Sequence, residues 1–169
     1  VQLELPPLPR AVEAIVTLFS AELACANAKT LAERRNGFAP EVADMIEAGL
    51  ATSEDQLRKA IHVRSQLKQE LSAAFTAANA HHVLTPTTPR PAMPLADYDP
   101  SQELATLIPF TCGFNLSGNP AISLPCGQTR DGLPIGLQIV GRHFRETALL
   151  DLAKQFQRET HWHEMRPPV

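Results

Sequence analysis

Apolar residues recur at helical spacing from the start of the chain. Ala11, Ile15, Leu18, Phe19, Leu23, Ala26 and Leu31 share one stripe and predict a long amphipathic helix over residues 11 to 35. Pro40 suits a first helical turn and opens a shorter helix through Ala48, with Gly49 placed to end it. The clearest helix follows. Ser53-x-x-Gln56 is a capping-box pattern, Glu54 and Asp55 favour the positive end of the helix dipole, and Leu57, Ile61, Arg64, Leu67, Leu71, Phe75 and Ala78 form its stripe. The pattern then changes to short apolar runs bounded by turn residues. His82 to Thr85 reads as a strand stopped by Pro86, and the proline-rich run from 86 to 100 reads as an extended loop. Residues 101 to 118 fit either a short helix or a loop. Ala121 to Pro125 and Ile135 to Gly141 read as a hairpin around Asp131-Gly132. A last helix, about 145 to 160, turns Ala148, Leu149, Leu152, Ala153 and Phe156 inward. Long helices with a few short strands predict an α/β fold.

Composition narrows the function classes. Apolar residues make up 44% and charged residues 20%, which excludes a disordered chain. A net charge of −3 supplies no basic face for nucleic acid. No apolar run approaches the roughly 18 to 20 residues of a membrane span, and VQLELPPLPR lacks the plan of a secretory signal, so a soluble cytoplasmic protein with no membrane partner is expected. The opening on Val1 inside an apolar, proline-rich phrase reads as an internal start. Three widely spaced cysteines, Cys25, Cys112 and Cys126, fit reduced thiols better than disulfides or a zinc site.

The stretch NLSGNPAISLPCG, 115 to 127, collects candidate nucleophiles but no partner for them. Ser117 stands before Gly118 as a turn or cap residue, Ser123 lies inside a strand, and no G-x-S-x-G elbow presents either one. Cys112 and Cys126 have no histidine beside them and read as small buried hydrophobes. His161 and His163 could share a metal, yet spacing names no third ligand. The carboxylate pairs Glu54/Asp55 and Asp97/Asp99 read as capping and solvation, and neither phosphate-binding glycine motif occurs. No cofactor and no metal is expected.

The phrase PFTCGFNLSGNPAISLPCGQTRDGLPIGLQIVGRHF, with the helix and tryptophan-bearing tail after it, resembles the C-terminal part of amidase signature enzymes. VLTPTTPRPA resembles that family's strand and proline loop at a fitting distance. The resemblance implies the C-terminal portion of an α/β/α sandwich on a mixed sheet. Within it, residues 1–100 would form a helical region ending in a strand and proline-rich loop, and residues 101–169 the pocket loop, β-hairpin and last helix of the same domain. It also implies hydrolysis or transfer of carbon–nitrogen amide bonds by a serine, a second serine bridging through a cis peptide, and a lysine. Those three belong to a Gly/Ser-rich run of the family's N-terminal half. Here the seven serines are scattered, and Lys29, Lys59, Lys68 and Lys154 match no catalytic position. The chain is therefore expected to be an inactive C-terminal third whose partners are that N-terminal half and a small-molecule amide, with self-association or a homodimer left open.

By the same resemblance, Ile108, Phe110, Thr111 and Phe114 are expected to face substrate, and Asn115 and Gly118 to set the backbone of the pocket loop. Ser123 and Cys126 would fill space. In the family's glutamine-using amidotransferases, which serve misacylated tRNA with the help of partner chains, an acidic residue seven positions before the Asn reads the substrate's amino group. Ile108 stands there in this chain, and an apolar side chain cannot pair with an ammonium, which favours hydrolysis of a less polar amide. A non-catalytic binding module is the alternative of another class.

Overall fold

The computed structural model describes residues 9–99 and 106–166. The proline-rich start before residue 9 and part of the helix-or-loop stretch, 101–105, lie outside them. Among the described residues, α-helices and strands follow in the order α1 (Pro9–Arg34), α2 (Pro40–Leu50), α3 (Glu54–Ala77), β1 (His82–Pro86), α4 (Cys112–Ser117), β2 (Ala121–Gln128), β3 (Pro134–Gly141) and α5 (Glu146–Glu159).

The sheet is ordered β1-β3-β2 and is antiparallel throughout among the described residues, where a mixed sheet was expected. The difference is one of extent, because neither β1 nor β2 has a further neighbour among those residues. Register puts Leu84, Ile139 and Ile122 in one row across the sheet and Val83, Val140 and Ala121 in the next, on the opposite face. On the first face Leu124, Ile139, Leu149 and Ala153 form a core with α5. Ala148, expected inward, is exposed. The second face meets α1, α3 and α4 in a larger core that holds Val83, Val140, Leu67, Leu71, Phe75 and Phe114. Helices on both faces of a sheet make the α/β architecture.

The capping box at the start of α3 is complete: Gln56 N–H donates to Ser53 Oγ at 3.2 Å, and Ser53 N–H donates to Gln56 Oε1 at 2.8 Å. Its buried stripe runs Ala60, Leu67, Leu71 and Phe75, so the expected Ile61 and Arg64 lie outside it and are exposed. At the other end Asn79, at φ 49°, closes a Schellman turn, with Ala80 N–H donating to Phe75 O and Asn79 N–H to Thr76 O. Arg142, just beyond β3, donates to the carbonyls of Phe75 and Ala80 at 2.8 and 2.9 Å. The guanidinium thereby caps the negative end of α3 and fixes that end to the residue after the central strand.

α1 buries two stripes. Ala11, Ala14 and Leu18 join the large core, while Ala24 and Leu31 pack on Ala43 and Ile46 of α2. By length and composition this helix is apolar enough to cross a membrane, with a mean hydropathy of 1.4 over its best window, which corrects the expectation of no such run. Its many alanines raise the mean without forming a block of large side chains.

Gly49 does not end α2. It is buried inside the helix, facing α1, where an added Cβ would fall into the backbone carbonyl of Ser20 and come within 2.8 Å of Ala24 Cβ. A glycine near a helix end carries the same signal in sequence whether it stops the helix or lets another backbone approach. Gly49→Ala should therefore destabilise the fold by about 2–3 kcal/mol, since overpacking against backbone cannot be relieved by a rotamer change. A urea melt should show a lower midpoint with an unchanged slope.

Candidate active-site pocket

The segment from Ile108 to Gly118 is built as a tight turn leading into α4. The amide N–H groups of Thr111 and Cys112 both donate to Ile108 O, at 3.0 and 2.9 Å, and the Thr111 hydroxyl donates to the same carbonyl at 3.2 Å. Gly118, at φ +78°, ends α4 in the left-handed region. A six-residue helix has little stability of its own, so burial and bonds to the sheet must hold it. Phe114 is 0% exposed and Cys112 and Leu116 are buried with it in the large core.

Two polar clamps tie the segment to β3. At its start, Gln138 Nε2 donates to Phe110 O at 2.8 Å and to Thr85 Oγ1 of β1 at 2.9 Å. At its end, the Ser117 hydroxyl donates to Asn119 Oδ1 at 2.7 Å, and Asn119 Nδ2 donates to Gly141 O at 2.9 Å. His143 adds a contact of 2.8 Å from Nε2 to Ser117 O, in which the ring nitrogen is the donor to a carbonyl.

These bonds place the expected residues differently from one another. Ile108 and Thr111 line one cavity of about 270 Å³, together with Cys112 and Asn115. Its opposite wall is Ile15, Val16 and Phe19 of α1 and Met45 of α2. Phe110 is half-buried and lends its carbonyl to Gln138, and the Phe114 ring is core. Asn115 is exposed, and the side chain that ties the turn to β3 is that of Asn119. A larger concavity, about 890 Å³, is an open groove along α3 reaching His143, and none of the expected residues lines it. We take the smaller cavity as the candidate site because two segments distant in sequence converge on it around Ile108 and Thr111. Met45, the α1 wall, Gln138 and Asn119 were not singled out from sequence. Only Gln138 carried a signal, as a polar break in the apolar strand LQIV.

The side chains that looked nucleophilic are engaged elsewhere. Ser117 is buried in its clamp. Ser123, expected to fill space, is exposed, and its hydroxyl meets that of Thr87 at 2.7 Å, because it sits on edge strand β2 beyond the helices that cover the sheet. Cys126 falls at a bulge between Pro125 and Gly127 and donates to Ile135 O at 3.5 Å. Cys112 donates to Pro109 O at 3.7 Å, and burial pushes its thiol pKa up. Lys29, Lys59, Lys68 and Lys154 are all exposed on helices. Among the described residues no group of three or more metal-ligating side chains occurs.

The amidase family model matches residues 1–150. The chain belongs to the amidase family. It is similar to the A chain of the glutamyl-tRNA(Gln) amidotransferase of Thermodesulfovibrio yellowstonii, 40% identical over 141 residues that cover 79% of this chain and 28% of that protein. Among solved structures, a crystal structure of an amidase superposes with a TM-score of 0.82 at 31% identity, over 93% of this chain and 37% of that one. Kluyveromyces lactis allophanate hydrolase superposes with a TM-score of 0.76 at 25% identity, over 89% and 25%. The chain thus spans less than two fifths of the length of these amidase-family relatives, and its helix-rich α/β fold is theirs.

The clamp at Gln138 can be read through Cys112. In the native chain Cys25, which is exposed, should react with a disulfide reagent at least about tenfold faster than Cys112, whose thiolate is disfavoured by burial. Gln138→Leu should free the Phe110 carbonyl and speed Cys112 labelling severalfold while leaving Cys25 unchanged. Because burial raises the folded-state thiol pKa of Cys112, its contribution to stability is intact below the unfolded value and is lost as pH rises through the higher folded value.

Proposed function

We propose that this chain forms the substrate-pocket segment of an enzyme that hydrolyses an amide carbon–nitrogen bond, with the reacting serine and lysine supplied by sequence outside these 169 residues. The carrying observation is the cavity itself. Ile108 and Thr111, marked by resemblance alone as substrate-facing, converge there on a wall from α1 and α2, with no nucleophile–base pair among the described residues. In this reading an outside serine attacks the amide carbonyl, ammonia or an amine leaves, and water cleaves the acyl-enzyme, the oxyanion being held by backbone N–H groups of the same outside region. The chain's own part is to bind and orient, which can raise a rate by several orders of magnitude without touching the reacting bond.

A second reading is one component of a tRNA-dependent amidotransferase, supported by the 40% identity to the Thermodesulfovibrio protein. Ile108 weighs against it, because the cavity offers an amino group no carboxylate among the described residues.

Amide turnover separates these readings. The isolated 169-residue chain should release no ammonia from a panel of simple amides, whereas the longer enzyme that contains it should. Ser123→Ala and Cys126→Ala in that enzyme should keep kcat/KM within about threefold, since neither side chain has a base to activate it. Loss of several orders of magnitude in either variant would return the nucleophile to this chain. Turnover that emerges only with misacylated tRNA and partner chains would favour the second reading.

A further inference from the structure

The turn that joins α1 to α2 lies apart from the cavity and its clamps, and it carries chemistry of its own. We propose that Asn36 is a self-modification site: its carboxamide is lost spontaneously to the main-chain nitrogen that follows it, leaving an isoaspartate that loosens the junction of α1 and α2.

The reaction sets the requirements. The main-chain nitrogen of Gly37, once a base has removed its proton, attacks Asn36 Cγ. The N–Cγ bond forms, the Cγ–Nδ2 bond breaks, and the departing nitrogen takes a proton from water and leaves as ammonia. Water then opens the five-membered imide at either carbonyl, giving aspartate or else isoaspartate, in which the main chain runs through the side-chain carbons. One water is taken up and one ammonia released, with no oxidation or reduction. Closing the ring needs a side chain free to turn, a main chain free to leave helical geometry, and a following residue with no Cβ to crowd the ring.

These requirements come together at one of the five asparagines of the sequence. Asn36 and Gly37 are both exposed, in a three-residue 3-10 turn, Arg35–Gly37, that buries none of its residues. Hydrogen bonds in such a turn are poorly aligned, and it opens locally at little cost. The Asn36 carboxamide has no hydrogen-bond partner among the described residues.

The other four asparagines are held. Asn27 lies inside α1 and donates from Nδ2 to Leu23 O at 2.9 Å. Asn79 is followed by Ala80, whose N–H donates to Phe75 O at 2.9 Å. Asn115 sits within α4 ahead of the buried Leu116. Asn119 is buried in its clamp and precedes Pro120, whose nitrogen has no proton to lose.

Gly37 is not demanded by the fold. Its φ is not positive, and an added Cβ would meet, beyond its chain neighbours, only Arg34 Cβ at 3.9 Å. Alanine fits there without strain, so what glycine supplies at this position is an uncrowded nitrogen.

The turn is also a joint. On one side Arg35 donates from Nε to Glu47 Oε1 and from Nη2 to Asp44 Oδ1 of α2, both at 2.9 Å. On the other, Phe38 packs on the cluster of Ala24, Leu31, Ala43 and Ile46 that binds the two helices together. An isoaspartate between these attachments adds a carbon to the main chain and sets a new carboxylate beside Arg35, so both attachments cannot keep their present span.

Peptide mass spectrometry on the 169-residue chain, aged in mildly alkaline buffer, tests this. Asn36 should convert at least about tenfold faster than any other asparagine, with a rate that rises in proportion to hydroxide. The product should accept a labelled methyl group from an isoaspartyl carboxyl methyltransferase. Gly37→Ala should slow conversion by at least about tenfold while circular dichroism and the urea midpoint stay unchanged. Aged chain isolated by anion exchange should melt at lower urea than fresh chain. Asn36→Asp adds the charge without rerouting the main chain and should melt close to the fresh chain.

The site is overturned if Asn36 keeps its amide, if another asparagine converts as fast, if Gly37→Ala converts at the native rate, or if the rate ignores pH. The effect on the junction is overturned if aged and fresh chains melt alike, or if Asn36→Asp melts with the aged chain.

Discussion

A single buried amide holds this structure in register. Gln138 sits in the middle strand of the sheet at 4% exposure, and both of its donated bonds leave its own strand, one to β1 and one to the turn before α4. Left unpaired at that depth, such a group would cost about 1–3 kcal/mol, so strand β1, strand β3 and the pocket turn are stable only together. The second clamp, Asn119 to Gly141, does the same at the far end of α4. A six-residue helix that could not exist alone is thereby fixed at both ends, and the backbone that presents Ile108 and Thr111 is set by the sheet and not by local propensity.

α1 supplies the other half of the site by serving three partners. One stripe enters the large core, a second packs on α2, and Ile15, Val16 and Phe19 border the cavity. This division accounts for its high hydropathy. A helix that buries a single face needs only a third or so of its circumference to be apolar, whereas one that meets two helices and lines a pocket needs much more.

The sequence made the local devices legible and the long-range ones obscure. The Ser53 capping box, the hairpin around Gly132 and the strand at His82 all depend on residues within a few positions of each other and are present, although β1 takes in Pro86 and β2 runs on to Gln128. Period alone could not choose between Ile61 and Ala60 as the buried member of α3, because the choice is made by which helix lies opposite, and a crossing with close backbones favours the small residue. Ile108 and Thr111 line the cavity, while Phe114 in the same phrase lies in the core, because it stands about 100° around α4 from its neighbour Asn115 on the cavity side. Met45 and Phe19 carried no mark of a pocket at all. Their role exists only because α1 and α2 lie side by side there.

That approach has its own regulator. Gly49 lets the backbone of α2 touch the carbonyl of Ser20, next in sequence to Phe19, while Met45 lies one turn before Gly49 on α2. The two helices are therefore in close backbone contact beside the cavity wall. Position 49 acts as a calliper: it borders no ligand, yet the separation it permits determines how far Met45 stands from Phe19. Pocket width in this chain is thus a property of a helix crossing, and it can be inherited, or altered, without any change in the residues that line the pocket.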